Sequence, residues 1–186
     1  MNSIKLKIPQ KVYRKISYLK QRFSTLEWSG PAWYEIKKDK HGFPEEFILR
    51  HILPLHLGTA SATDWDGKDL MKHLPELSKQ YPKIGKSWVQ GNIHSHHNMG
   101  AFFSGTDEKQ LEDGANVNFY GSLVVSTKED QEWAFAFSYP DQFGNKHIIE
   151  IDEVEVLTPE VKPEDVWLKE ADWIKKQNKK QKPKYK

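Results

Sequence analysis

The chain has 186 residues, a formal net charge of +2 and no cysteine; 37% of its residues are hydrophobic and 12% are aromatic. Such a composition excludes an intrinsically disordered chain, and the length predicts one domain with a core large enough to fold alone. Without cysteine there are no disulfides, thiol nucleophiles or thiolate zinc sites, so histidine and carboxylate have to hold any metal.

The two ends of the chain are strongly basic. Residues 1–22 and 175–186 each contain seven Lys or Arg and no acid, so that residues 23–174 carry a net charge of −12. A basic end can touch nucleic acid or an acidic partner, but no known nucleic-acid motif accompanies it. We therefore expect no nucleic-acid partner, a single domain over 1–174 and a solvated, disordered Lys-rich tail over 175–186.

No sequence feature predicts contact with a membrane. No apolar run approaches the roughly 20 residues that cross a bilayer, and the N-terminal segment lacks the apolar core of a secretory signal. We expect a cytoplasmic protein with no membrane partner.

The first predicted elements are a short strand over 4–8 and a helix over 10–23 that Pro9 opens. The helix has one apolar face, formed by residues at helical spacing: Val12, Ile16, Leu19 and Phe23. Strands follow over 26–37 and 45–58. Pro54 interrupts the second of these strands, which indicates an edge or a bend.

The middle of the chain predicts a loop over 59–68, a helix over 69–81 and a strand over 87–97. Pro75 leaves the regularity of this helix open, and the Tyr81-Pro82 pair closes it. The strand runs directly into a cluster of histidines.

The last part of the chain predicts a helix that ends near Gly114, then three strands joined in part by a turn over 141–145. The three strands cover residues 119–127, 132–139 and 145–157. A final helix starts after Pro163. Because strands and helices do not alternate regularly, the predicted class is α/β or α+β, with a mixed sheet flanked by helices.

Residues 91–110 concentrate groups that bind metals. His94 and His96 are two positions apart in a predicted strand, so both imidazoles project from one face, roughly 7 Å apart at the backbone, and can converge on one ion. Asp107, in the first turn of the next helix, can supply a third ligand. Two histidines and one acid leave a fourth position open, which is typical of a catalytic zinc site.

Hydrolysis at such a site needs two further groups. A carboxylate that is not a ligand has to take a proton from zinc-bound water, and a donor has to stabilise the oxyanion, for which Ser104 is close in sequence. The stretch from Ser104 to Asp107 is also typical of a helix start, with the serine as cap. This short pattern leaves both interpretations open, whereas its combination with the histidine pair favours a metal.

The spacing resembles the JAMM motif of MPN-type metalloproteases. In that family His-Ser-His-Pro or His-Thr-His-Pro is followed by six residues and Ser-x-x-Asp, downstream of a glutamate; here seven residues separate His96 from Ser104. The resemblance implies an MPN fold with a cytidine-deaminase-like mixed sheet flanked by helices. It also implies Zn²⁺ held by His94, His96 and Asp107, with Ser104 as the oxyanion donor.

The resemblance further implies a glutamate as general base, at the start of a strand and shortly before a glycine. Glu27, which precedes Gly30, is the counterpart by position, and Glu35, farther along the same predicted strand, is the alternative. Glu45 and Glu46 lie at the start of the next strand. Glu27 would take a proton from zinc-bound water and deliver it to the leaving amine.

One position departs from the family pattern, since His97 stands where the family has proline. We interpret His97 as an exposed loop residue; a substrate contact, a group supporting the ligands or an alternative ligand are the other interpretations. The histidines that stand alone are interpreted as ordinary: His51, His56, His73 and His147. Trp28 and Trp33 flank Glu27 and are interpreted as core, with lining of the cleft as the alternative.

Members of the family cleave isopeptide bonds to ubiquitin or ubiquitin-like proteins, and bacterial, archaeal and phage relatives act on other ubiquitin-like tails or on peptide bonds. The resemblance therefore implies a compact zinc hydrolase whose partner is a ubiquitin-like protein or peptide, bound as an added strand beside the metal. One alternative is a phage or bacterial assembly or defence peptidase. Another is a non-catalytic MPN scaffold, which would lack a His, Asp or Ser of the motif.

Overall fold

The computed structural model describes residues 4–116 and 118–157. The predicted C-terminal helix, the Lys-rich tail and the end of the predicted domain at 174 lie outside these residues. The helices are α1 (Gln10–Arg22), α2 (Gly67–Gln80) and α3 (Gly105–Gly114). The strands are β1 (Lys5–Pro9), β2 (Trp28–Lys38), β3 (Pro44–Ile52), β4 (His56–Leu57), β5 (Trp88–His96), β6 (Tyr120–Ser126), β7 (Trp133–Pro140), β8 (Lys146–Ile151) and β9 (Glu153–Leu157).

All nine described strands belong to one mixed sheet. Its order is β8-β7-β6-β5-β2-β3-β1-β9, and β4 pairs with β2 beside this path. The pairs β5–β6, β1–β3 and β1–β9 are parallel, and the other pairs are antiparallel. The fold is thus α+β with a mixed sheet, which confirms the coarse class predicted from the sequence.

The segment predicted as one strand over 145–157 is two strands, and this prediction was wrong. β8 pairs with β7 at one end of the sheet, and β9 pairs with β1 at the other end. Only Asp152 lies between them. Since consecutive strands occupy opposite ends of the order, the sheet curls into a nearly closed barrel.

The main core fills the inside of this curled sheet. Leu6 and Ile8 of β1 and Phe135 and Phe137 of β7 are fully or almost fully buried in it. One face of α1 closes the core through Val12, Ile16 and Leu19, as the helical spacing predicted. Burial of such side chains contributes roughly 1.5–3 kcal/mol each.

The outer face of the sheet carries α2 and α3. Trp33 packs with Leu70 and Leu77 of α2 in a second apolar cluster, and α3 packs on β6, β7 and β8. Asp66 caps α2 by accepting a hydrogen bond from the Lys68 N–H at 2.8 Å. The helix continues through Pro75 and ends at Gln80, directly before the Tyr81-Pro82 pair.

Pro54 interrupts the strand predicted over 45–58, which forms β3 and β4 instead. β3 and β4 both run antiparallel to β2, and between them Leu53 N–H and Leu55 N–H still donate to Pro31 O and Ser29 O. The first part, β3, is an interior strand between β2 and β1, whereas β4, after Pro54, pairs only with β2 among the described strands and agrees with the edge interpretation. Through its pairing with β2, β4 brings the segment that follows it to the end of β2 where Glu27 lies.

None of the helices formed by the described residues combines the length and apolarity needed to span a bilayer.

Candidate metal centre

Strand β5 presents its alternate side chains to the two faces of the sheet. Ile93 faces the main core, whereas Asn92, His94 and His96 face the side that carries α2 and α3. His94 pairs with Ser29 of β2 and with Val124 of β6, so the two histidines stand on an interior strand. Both are more than nine-tenths buried.

The orientation of His96 follows from the loop after β5. Its Nδ1 lies 3.0 Å from the carbonyl oxygen of Gly100. Because a carbonyl only accepts, Nδ1 carries the hydrogen, and Nε2 of the neutral ring keeps its lone pair. The loop itself is tied to the end of β6, where Ser126 Oγ donates to Met99 O and Thr127 Oγ1 donates to His97 O.

His94 has a comparable partner on its Nδ1 side. Asp107 Oδ1 lies 3.5 Å from His94 Nδ1, at the edge of hydrogen-bonding distance. Burial, with a smaller effect of His96, lowers the pKa of His94 to about 4, against an opposing effect of the Asp107 carboxylate. The ring is therefore neutral at neutral pH, and a nitrogen lone pair is available to a metal.

The two Nε2 atoms face each other at 3.3 Å. Two nitrogens that bind one tetrahedral zinc at 2.0–2.1 Å lie roughly 3.3–3.4 Å apart, so the histidine pair already has the spacing of two zinc ligands. An acceptor beside each Nδ1 is also what orients histidines that bind metals through Nε2. This spacing is compatible with zinc, and Zn²⁺ at the pair stays a prediction.

Asp107 is part of a helix cap. Its Oδ2 accepts from Ser104 N–H at 2.7 Å and from Ser104 Oγ–H at 2.6 Å, while Ser104 Oγ accepts from Asp107 N–H at 3.4 Å. This reciprocal capping box starts α3 and confirms the helix-start interpretation of the sequence.

The same cap keeps the carboxylate of Asp107 away from the two Nε2 atoms. Over residues 4–116 and 118–157, no three His, Asp or Glu side chains form a complete metal-binding group. Asp107 would complete a three-ligand set only by turning its carboxylate from Ser104 toward the histidine pair. Its role as third ligand stays a prediction.

Glu27 lies at the start of β2, beside the histidines. Ser29 pairs with His94, so continuing the register places Glu27 opposite His96 on the same face. Glu27 is 3% exposed, and its Oε1 has no hydrogen-bond partner among the described residues. Burial, assisted by Asp107, raises the pKa of Glu27 above 4.5, while the nearby His96 and His97 act in the opposite direction.

Glu35, the alternative base, lies at the far end of the same strand. It pairs with Trp88, six residues before His94, which corresponds to about 20 Å along β5. Its Oε2 accepts from Arg50 Nε at 2.7 Å. Glu46 is bound to Lys7 and Lys37. The geometry therefore favours Glu27 as the carboxylate that serves the histidines.

The five predicted site residues line one cavity of about 600 Å³: Glu27, His94, His96, Ser104 and Asp107. The sequence analysis missed other residues that line it, namely His56, Trp65, Asn92 and Gln110. His56 was interpreted as ordinary, yet its Nδ1 lies 3.1 Å from Thr63 Oγ1 in the cavity wall. For Asn92 a signal existed, since it lies two positions before His94 on the same strand face.

The other histidines and tryptophans within residues 4–116 and 118–157 do not line this cavity. His51 packs against Tyr81 and Trp33 at centroid distances of 4.3 and 5.6 Å. Trp28 and Trp33 are buried in the two apolar clusters, which confirms their interpretation as core. His97 is half-buried with an unpaired Nδ1, so its interpretation as an exposed loop residue was wrong.

Comparisons with known proteins leave the family of the chain open. No family model matches the chain, and no curated protein matches it. A search of solved structures finds similarity to the solution structure of protein DSY2949 from Desulfitobacterium hafniense. That similarity has 18% identity and a TM-score of 0.49, and it covers 83% of this chain and 94% of the other.

Proposed function

We propose that the chain is a zinc-dependent hydrolase of the JAMM type with an MPN fold, which cleaves peptide or isopeptide bonds. The observation that carries the proposal is the histidine pair, with two Nε2 atoms 3.3 Å apart and an acceptor beside each Nδ1. A buried carboxylate with an unpaired oxygen, Glu27, lines the same cavity.

His94 and His96 would hold the zinc, with Asp107 as the third ligand. When bound, zinc supplies Lewis acidity that lowers the pKa of water toward ~7 and polarises a carbonyl. The raised pKa of Glu27 suits a general base, because a carboxylate with a pKa nearer neutrality can both take and return a proton. Glu27 would take the proton from the attacking water and deliver it to the leaving amine.

Ser104 would donate a hydrogen bond to the oxyanion that forms on the substrate carbonyl. In the structure its hydroxyl donates to Asp107 Oδ2. If Asp107 turns toward the histidine pair, that hydroxyl is released to another acceptor. Rotation of one carboxylate would thus complete the ligand set and free the oxyanion donor together.

The proposed substrate is the C-terminal tail of a ubiquitin-like protein. Among the described residues, no Lys or Arg lines the cavity of about 600 Å³, and Leu57, Met99 and Phe102 line it with exposed apolar side chains. Such a groove accepts an extended, uncharged or cationic peptide. A phage or bacterial peptidase without a ubiquitin-like substrate would use the same groove.

A non-catalytic scaffold is the competing function. A buried carboxylate oxygen without a hydrogen bond carries a desolvation cost of about 1–3 kcal/mol or more. A scaffold gains nothing that offsets this cost. Glu27 Oε1 is buried without a hydrogen-bond partner among the described residues, and Glu27 lines the same cavity as the histidine pair. This observation favours catalysis.

The test measures cleavage of a panel of ubiquitin-like proteins, each fused through its C-terminal tail to a reporter, by the zinc-loaded chain. Glu27→Gln should lower kcat/KM by roughly 10²–10⁴ while the zinc content stays unchanged, since a general base contributes about that factor. Glu35→Gln, on the same strand, is the matched control and should keep the wild-type rate. Full activity of Glu27→Gln would refute the role of this residue, and absence of any cleavage would refute the substrate class.

A further inference from the structure

Asn92 joins three elements around the candidate metal centre. It lies on β5 two residues before His94 and is 4% exposed. Its Oδ1 accepts from Trp65 Nε1–H at 2.8 Å, and its Nδ2 donates to Gln110 Oε1 at 3.1 Å. Both bonds connect side chains of segments that are distant in the sequence.

The first bond holds the segment that faces the histidines. Residues 58–66 connect β4 to α2, and most of them line the cavity opposite α3. The first half of the segment is anchored by backbone bonds, since Glu27 N–H donates to Thr59 O and Gly58 N–H donates to Glu27 O. In the second half, Trp65 is the side chain bound to β5.

The second bond holds the opposite wall. Gln110 lies in α3 three residues after Asp107, and residues at this spacing share one face of a helix. Gln110 and Trp65 also both line a second cavity of about 270 Å³ that continues from the first. Asn92 therefore sits at the base of the groove, bound to one residue from each wall.

In the structure, the amide of Asn92 accepts on one side and donates on the other. The indole N–H of Trp65 only donates, so the oxygen of Asn92 has to face it, and the amide nitrogen then faces Gln110. An apolar residue at 92 would leave the indole N–H without its buried acceptor.

We propose that Asn92 is a positioning residue that fixes the width of the substrate groove by holding residues 58–66 against β5 and α3. The effect on substrate binding rests on the proposed function. The effect on the position of residues 58–66 rests only on the two hydrogen bonds of Asn92. Loss of the Trp65 bond frees the end of the segment around Trp65 from β5, while Thr63 keeps its bonds to Ser29 and His56. His94 and His96 keep their own partners.

The experiment measures amide hydrogen exchange of residues 58–66 in the full chain, with zinc affinity as a second measurement. Asn92→Leu removes both bonds and should increase exchange in this segment, at and next to Trp65, roughly tenfold, because the bond that ties Trp65 to β5 is lost and the indole donor is left unpaired. Zinc affinity should stay within about threefold. With a cleavable tail fusion, KM should rise while kcat stays within about threefold.

Two further variants separate the hydrogen bond from packing. Asn92→Asp keeps the acceptor for Trp65, and Gln110 can turn its amide to donate to the new carboxylate, so exchange should return to within about twofold of wild type. Trp65→Phe keeps an aromatic ring but removes the donor, and it should reproduce the effect of Asn92→Leu even if that variant fails to fold.

Unchanged exchange of residues 58–66 in folded Asn92→Leu or in Trp65→Phe would overturn the proposal, as would an Asn92→Asp variant that exchanges as fast as Asn92→Leu. Failure of the proposed function would show differently. In that case neither the wild type nor any variant would cleave a substrate, but amide hydrogen exchange would still differ between the variants as described above.

Discussion

At the scale of single residues, the acceptor beside each Nδ1 atom determines what the two histidines can do. Gly100 O fixes the tautomer of His96, and Asp107 Oδ1 lies beside the Nδ1 of His94. The two Nε2 atoms lie 3.3 Å apart. Asp107 thus supports the pair in its present position, and it would bind the metal if it turned.

Asp107→Asn tests this double role. The amide oxygen of Asn can still accept from Ser104 N–H, so the cap of α3 should largely persist. Zinc affinity should fall roughly 10- to 100-fold, because the variant loses the charge that would bind the metal or orient His94. Isothermal titration with zinc measures the change, and Glu108→Gln, the exposed neighbour in the same helical turn, is the control. Wild-type zinc affinity in Asp107→Asn would contradict the role.

The lowered pKa of His51 predicts how the free energy of unfolding depends on pH, independently of the candidate metal centre. Burial between aromatic rings, with contributions from Lys15 and Lys11, lowers the pKa of His51 to about 4. The unfolded chain binds a proton near pH 6.5 and the folded chain does not, so stability should fall as the pH drops from 6.5 to 4. Urea unfolding across this range should show a loss on the order of 1–3 kcal/mol from this group.

His51→Gln is the matched variant, because its side chain does not titrate. Its unfolding free energy should depend less steeply on pH between 6.5 and 4 than that of the wild type. Equal slopes for the two proteins in this range would show that His51 is not responsible.

At the scale of elements, the start of α3 combines a structural and a proposed chemical role in one stretch of sequence. The capping box of Ser104 and Asp107 satisfies backbone groups at the helix N-terminus. It also brings both side chains to the cavity that holds the histidines. The helix cap and the proposed hydrolytic site therefore share the same residues.

Ser104→Ala tests the structural role of Ser104 as the cap of α3. Removing the cap should lower the unfolding free energy by about 1 kcal/mol, as measured by urea denaturation. Ser104→Thr keeps a hydroxyl and should lose at most a few tenths of that amount. If Ser104→Ala were as stable as the wild type, the capping box would not contribute to α3.

The elements that carry the site could be predicted from the sequence because their patterns are local. Alternation placed His94 and His96 on one strand, and the Ser-x-x-Asp pattern gave the start of α3. The division at Asp152 was not predicted. The alternation shifts its phase there, from Ile149 and Ile151 to Val154 and Val156, but only the pairing with distant strands shows that β8 and β9 lie at opposite ends of the sheet. The bonds of Asn92 also depend on residues far apart in the chain.

At the scale of the whole molecule, β5, the strand that carries His94 and His96, lies in the interior of the nearly closed sheet. β5 has β2 on one side and β6 on the other, so its backbone is held by hydrogen bonds on both edges. The loop after β5 is tied to β6, and Glu27 lies at the start of β2. The candidate site thus lies where β5, the start of β2 and the end of β6 are adjacent. Its geometry therefore depends on the pairing of these three strands.

A zinc titration of the full chain tests the central claim that His94 and His96 together hold one divalent ion. Isothermal titration should give one zinc per wild-type chain, and thermal unfolding should shift upward with zinc concentration, because an ion that binds only the folded state stabilises it. In His96→Ala both effects should disappear, while His73→Ala, a histidine exposed on α2, should behave as wild type. A wild-type chain that binds no zinc, or a His96→Ala chain that binds it as tightly, would contradict the claim.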